Sequence, residues 1–140
     1  MSAWIIDASL AMNWYLTDEQ DRSYSIAVFS ALEEREILVP SLWLFEIANV
    51  LLVAHRRGRI PTDQIEYVLV TIMGFRLRLD HPTPDSAVRI YHLASKYQLT
   101  VYDAAYLDLA MRERTPIATR DAALLAAMAA AGVEAVVPTR

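Results

Sequence analysis

The 140-residue chain has no cysteine, only three glycines and, among 13 basic residues, a single lysine, Lys96. Without cysteine there is no disulfide framework, no iron–sulfur cluster and no thiolate zinc site. Gly58, Gly74 and Gly132 are too scattered to cradle a phosphate. Neither GxGxxG nor the P-loop pattern exists, which disfavours most nucleotide-cofactor enzymes. No uncharged run reaches the length of a membrane span, and the longest apolar stretch, Ala122 to Val133, is too short to cross a bilayer. The opening Met1-Ser2-Ala3-Trp4 has no basic region ahead of an apolar one, which predicts a cytoplasmic chain that is not exported. A net charge of −4 and a pI near 5.3 speak against gripping nucleic acid by bulk electrostatics.

What is abundant is apolar surface, at 55% hydrophobic residues and a mean hydropathy of +0.23. For a soluble chain this is high, and it suggests that part of the surface is covered by a partner or a second copy. The length predicts one domain, 1–140, able to bury roughly 70% of its unfolded surface.

Short apolar runs alternate with helical patterns. Trp4-Ile5-Ile6, Ile37-Leu38-Val39, Leu77 to Leu79, Thr100-Val101, Pro116 to Thr119 and Val133 to Val137 read as strands. Helices are expected over about 22–35, with Ile26, Phe29, Ala31 and Leu32 as the core stripe, and over about 42–57, closed by Gly58. Further helices are expected over about 61–74, 86–97, 104–114 and 122–131. The 42–57 helix is apolar almost all round, which predicts burial on more than one side. Such alternation predicts a three-layer α/β/α domain, a central parallel β-sheet flanked by helices.

Asp7, Asp103 and Asp121 each fall between an expected strand and the next helix. In an open parallel sheet these junctions share one edge, where ligands of this fold class bind. Taken singly, an aspartate there is most often a helix cap, and Asp63 and Asp85 read as no more than that. Glu46 stands in the apolar Leu42 to Leu51 segment, where an unpaired buried carboxylate costs several kcal/mol. It lies only about 7.5 Å along the helix from Ser41, close to the same edge. Two readings stand: Glu46 belongs to a metal site with Asn49 in support, or the two form a narrow stripe facing water.

Four carboxylates in one crevice repel unless a cation neutralises them. The donors are oxygens, and His55, His81 and His92 have no metal-ligating spacing, so Mg²⁺ or Mn²⁺ fits better than zinc. Such ions serve phosphodiester hydrolysis.

Four segments, Ile6-Asp7-Ala8-Ser9, Glu46 with Asn49 after Val39-Pro40-Ser41, Tyr102-Asp103-Ala104-Ala105-Tyr106 and Ala118-Thr119-Arg120-Asp121, resemble the signature segments of PIN-domain ribonucleases. Their order and the chain's size are most similar to the VapC toxins of bacterial toxin–antitoxin pairs. The resemblance covers essentially the whole chain. It implies a Mg²⁺- or Mn²⁺-dependent RNA endonuclease, a homodimer, and a cognate VapB-type antitoxin that blocks the site. Asp7, Glu46, Asp103 and Asp121 would then form the acidic quartet. The first and third would be direct ligands, Glu46 would complete the shell or hold a water, and Asp121 would bind a second metal or orient the attacking water. Thr119 would hydrogen-bond the cluster or the substrate phosphate, and Ser9 has a weaker claim.

Elsewhere, Asp108 lies about 140° around its helix from Asp103 and should point away from the site. Asp18, Glu19 and Asp21 read as a solvated loop, and Arg56, Arg57 and Arg59 either complement a helix C-terminus or contact RNA or a partner. Two other functions fit the acids. A phospho-receiver-like signalling domain would need a basic residue at the end of the last strand, where Val136-Val137-Pro138 stands. A catalytically inactive interaction domain would use them as caps. Removing the quartet from the 17 acidic residues leaves 13 against 13 basic ones, so the whole net charge of −4 is assignable to one crevice.

Overall fold

A computed structural model of the chain describes residues 2–139; Met1 and Arg140 of the expected 1–140 domain lie outside the described residues. Four short strands, β1 (Ile5–Ile6), β2 (Ile37–Pro40), β3 (Leu77–Asp80) and β4 (Ile117–Ala118), alternate with helices. α1 (Ala8–Met12) and α2 (Ser23–Leu32) follow β1, and α3 (Trp43–Arg56) and α4 (Thr62–Met73) follow β2. α5 (Pro84–Tyr97) and α6 (Val101–Glu113) follow β3, and α7 (Ala122–Ala131) follows β4.

All strand pairings are parallel. β3 pairs with β2, the Trp4–Ile37 bridge joins β2 to the chain entering β1, β1 pairs with β4, and an Ile117–Ala135 bridge extends the far side. The spatial order is therefore β3-β2-β1-β4 followed by Ala135. Progression runs one way through β3, then reverses to place β4 on the other side of β1. This reversal opens a crevice at the carboxyl ends of β1 and β4, the usual ligand position in such sheets. β1, β2 and β4 are buried throughout, as strands covered on both faces must be, whereas the edge strand β3 is partly exposed. The principal helix contacts fall into two groups, α1, α3 and α4 on one hand and α5, α6 and α7 on the other. This is the expected α/β/α layering.

Several expectations are corrected. Thr100-Val101 is not a strand: Val101 opens α6, and the Thr100 hydroxyl caps it by accepting from the Asp103 amide at 3.1 Å. A β-branched pair looks like a strand until the cap's hydrogen bond is seen. The expected strand 133–137 is reduced to the bridge at Ala135, beyond which Val137 is exposed. On α2 the core face is Ser25, Val28, Ala31 and Leu32, while Ile26 and Phe29 are 39% and 43% exposed. The 13–22 segment meets this helix through Trp14, whose indole donates to the Ser25 carbonyl at 2.8 Å and whose ring packs on the half-exposed Phe29 at 5.1 Å.

On α3 a single stripe is buried, Trp43, Ile47, Leu51 and Ala54, while Phe45 is 81% exposed. The neighbouring face of α4 leaves Tyr67 and Val70 exposed as well. The high hydropathy of the sequence is thus partly on the surface. Asp63 and Asp85 lie in first helical turns but make no capping bond; α5 is capped by Thr83, reciprocally with Ser86. Among the described residues, no helix is long and apolar enough to cross a membrane.

Candidate active site

The end of β1 sets the first acid. The Asp7 amide donates to the Ala118 carbonyl at 3.0 Å, so Asp7 leaves the sheet beside β4 and becomes the N-cap of α1. Its Oδ1 accepts from the Ser9 amide at 2.9 Å and the Ser9 hydroxyl at 3.1 Å. Its Oδ2 accepts from the Thr119 hydroxyl at 2.7 Å. Thr119 is 3% exposed, and the same hydroxyl oxygen accepts from the Asp121 amide at 3.1 Å. Asp121 caps α7, accepting from the Leu124 amide at 2.8 Å. A continuous chain of hydrogen bonds thus ties the end of β1 to the start of α7.

Glu46 is brought in by α3. The fully buried Trp43 donates from its indole to the Ile6 carbonyl at 2.8 Å, which clamps the start of α3 onto the end of β1. Three residues on, Glu46 is half-buried and accepts from the Tyr106 hydroxyl at 2.6 Å. That hydroxyl also accepts from the Ala8 amide at 3.3 Å. Asp103 stands in the first turn of α6, three residues before Tyr106.

The four acids sense one another. Burial raises the Glu46 pKa; the Tyr106 hydrogen bond opposes this, and the charges of Asp7 and Asp103 push it up further. Burial likewise raises Asp103, reinforced by Asp121 and Asp7. Tyr106 is held well above its ordinary value by burial and by Glu46, so it remains a neutral donor. Among the described residues no three acidic or histidine side chains are drawn together tightly enough to hold an ion in this arrangement. Burial is the larger cause of both raised values, and the neighbouring carboxylates add to it.

Asp7 follows β1, Asp121 caps α7 just after β4, and Glu46 and Asp103 stand in the first turns of α3 and α6, Asp103 without the strand expected before it; residues 4–131 match the PIN domain family. The chain belongs to the PIN domain family. Across 118 residues, 84% of this chain and 88% of the relative, this PIN domain is 31% identical to Ribonuclease VapC3 of Pyrobaculum aerophilum. Its fold is also similar to the crystal structure of PAE2754 from Pyrobaculum aerophilum. The TM-score is 0.67 at 22% identity, covering 90% of this chain and 84% of that one.

Around the PIN-domain crevice the remaining sequence candidates divide. Ser9 joins it through Asp7, whereas Asn49 is exposed on α3. Asp108 points elsewhere, as expected, and is 1% exposed between Arg89 and Arg112. Arg59 is engaged by Asp18 and Glu19 at 2.9 and 3.0 Å, so the acidic loop and part of the basic cluster neutralise each other. Arg56 and Arg57 are exposed at the end of α3.

Sequence reasoning gave Tyr106 no role. The available signal was its position three residues after Asp103, on the same helix face. It also missed Asn13, 5% exposed, whose side chain accepts from Arg120 at 2.8 Å and donates to Glu19 at 2.8 Å. Ser9, Asn13, Glu19, Arg120 and Asp121 line a cleft of about 270 Å³ next to the acids.

Proposed function

We propose that this PIN domain is a VapC-type endoribonuclease that hydrolyses RNA phosphodiester bonds with Mg²⁺ or Mn²⁺. The observation that carries this reading is the convergence of Asp7, Glu46, Asp103 and Asp121 without a basic partner, at a sheet edge where Glu46 and Asp103 both have raised pKa values. The similarity to Ribonuclease VapC3 supports the substrate class. The donor set fits a hard divalent ion, since every candidate ligand is a carboxylate oxygen.

Asp7 and Asp103 would be the direct ligands, and Glu46 would complete the set. When bound, such an ion offsets the charge of the acids and of the phosphodiester and acidifies a water. The residues of the chain do the positioning. Thr119 holds one oxygen of Asp7 and Ser9 the other, so that carboxylate presents a fixed edge. Asp121, two residues beyond Thr119, is exposed and would orient the attacking water.

A VapB-type antitoxin and a second copy of the chain complete the reading. The exposed Phe45, Tyr67 and Val70 are the kind of apolar surface that protein partners cover. The test is incubation of RNA with the purified protein in Mg²⁺ or Mn²⁺. Cleavage is expected, abolished by EDTA and by Asp7→Ala. A folded protein that binds Mn²⁺ and leaves every RNA intact would count against the nuclease reading, and one that binds no Mn²⁺ would turn it to an inactive interaction domain whose acids are caps. Gel filtration with light scattering tests the dimer.

A further inference from the structure

We propose that Tyr106 is a positioning residue of this site, fixing the Glu46 carboxylate relative to Asp7; this rests on reading the four acids as a metal-dependent nuclease centre. Tyr106 is 1% exposed, and its hydroxyl donates to Glu46 Oε1 at 2.6 Å while accepting from the Ala8 amide at 3.3 Å. Among the described residues it is the sole hydrogen-bond donor to the Glu46 side chain.

A glutamate has three side-chain torsions, and Glu46 is repelled by Asp7 and Asp103. Left alone, it would swing toward water. An arginine in the place of Tyr106 would restrain it but would also neutralise it, as the arginines around Asp108 do. A phenol restrains the carboxylate through a short hydrogen bond and leaves the negative charge of the crevice intact for a cation.

The second contact makes the restraint specific. Ala8 follows Asp7, so the oxygen that holds Glu46 is itself referenced to the backbone beside Asp7. Tyr106 also shares α6 with Asp103, and its buried ring anchors that helix. One side chain therefore links the segments carrying three of the four acids. A hydroxyl serving only to satisfy itself in the core would need one backbone partner; this one spans two elements and ends on an acid.

The experiment is calorimetric titration with Mn²⁺ of the wild type, Tyr106→Phe, Glu46→Gln and the double variant, alongside RNA cleavage and thermal melting. Tyr106→Phe retains the ring that fills the core. It is expected to weaken Mn²⁺ binding about 10- to 100-fold, as loss of an orienting partner does. In the Glu46→Gln background the same substitution is expected to change Mn²⁺ affinity no further. Ala8→Pro approaches the contact from the other side. It replaces the N–H at the first helical position, where proline suits the backbone, by a ring carbon directed at the Tyr106 hydroxyl, so it displaces that hydroxyl from Ala8, and a severalfold loss of affinity is expected.

Unchanged Mn²⁺ affinity in both Tyr106→Phe and Ala8→Pro, with wild-type cleavage retained, would overturn the proposal and leave the nuclease reading standing. An equal loss in the Glu46→Gln background would also overturn it, since the effect would then not pass through Glu46. A wild type that neither binds Mn²⁺ nor cleaves RNA would overturn both.

Discussion

Helix α6 carries two aspartates with opposite fates. Asp103, in its first turn, has no arginine paired with it among the described residues, and its pKa is raised by burial and by the neighbouring charges of Asp121 and Asp7. Asp108, a little over one turn later, is nearly inaccessible yet paired with Arg89 at 2.6 Å and Arg112 at 2.9 Å, and Arg112 reaches on to Asp80 at 2.7 Å. Burial alone would raise Asp108, but the hydrogen bonds and charges of the two arginines outweigh it and leave its pKa below the ordinary value. One cluster is internally neutralised and braces α5, α6 and β3. The other is left with negative charge that no basic side chain among the described residues pairs with. Balanced charge accompanies a structural brace here, and unbalanced charge accompanies the site proposed for a ligand.

The comparison breaks first on activity. Asp103→Ala is expected to lower RNA cleavage at least about 100-fold, roughly 2.7 kcal/mol of barrier, with the circular dichroism spectrum unchanged. Asp108→Ala should spare activity measured below its melting temperature. Equal losses in the two variants would erase the distinction.

Metal is the next lever. Mn²⁺ at 100-fold excess over Kd is expected to stabilise the wild type by about 2.7 kcal/mol in thermal melts, reversed by EDTA. Asp7→Asn should stabilise the metal-free fold by relieving repulsion and should lose most of the Mn²⁺ effect; a destabilised Asn variant would count against a shared site.

Next in size is the brace itself. Asp108→Ala is expected to cost about 2 kcal/mol and lower the Tm by about 4–8 °C. This falls below the roughly 3–5 kcal/mol of a fully buried broken pair, because both arginines keep contact with water. A Tm within a degree of the wild type would show that the pairing contributes nothing.

The two clusters should also respond to pH with opposite sign. Glu46 and Asp103 have raised pKa values, so the folded state binds their protons more tightly than the unfolded chain does. Their contribution to metal-free stability is present at low pH and is lost as pH rises upward through the carboxylate range. Asp108 is lowered, so its contribution is present above that range and is lost as pH falls through it. In melts across pH, the Tm advantage of a Glu46→Gln/Asp103→Asn variant over the wild type should grow as pH rises. The deficit of Asp108→Asn should shrink as pH falls. Parallel curves for the two variants would contradict both assignments.

The smallest effect belongs to the exposed pairing of Arg59 with Asp18 and Glu19, whose side chains keep 28%, 51% and 39% of their surface in water. Arg59→Ala should change stability by less than about 1 kcal/mol in chemical denaturation, and less still at high salt. A larger change would mean that the 13–22 segment depends on this clasp.

The sequence alone was enough to place all four acids at element junctions or near a helix start, because period-2 and period-3.6 patterns and N-cap chemistry are local. It determined β1, β2, β3 and the span of α7, and it separated Asp108 from Asp103 by helical angle alone. Its failures were also local in form. Thr100-Val101 looked like a strand, and Ile26 and Phe29 looked like core, because nothing nearby in sequence reports the Thr100 cap or which face of α2 is buried.

What only the tertiary structure decided is which groups meet. The hydroxyl of Tyr106 reaches Glu46 across 60 residues of chain and the Ala8 amide across 98. Thr119 reaches Asp7 across 112. Hydrogen bonds act over about 3 Å and carry no imprint in the intervening sequence. Residue spacing along the chain could bring the carboxylates to one edge, but only the packing of α3 and α6 against the sheet could say which neutral groups hold them there.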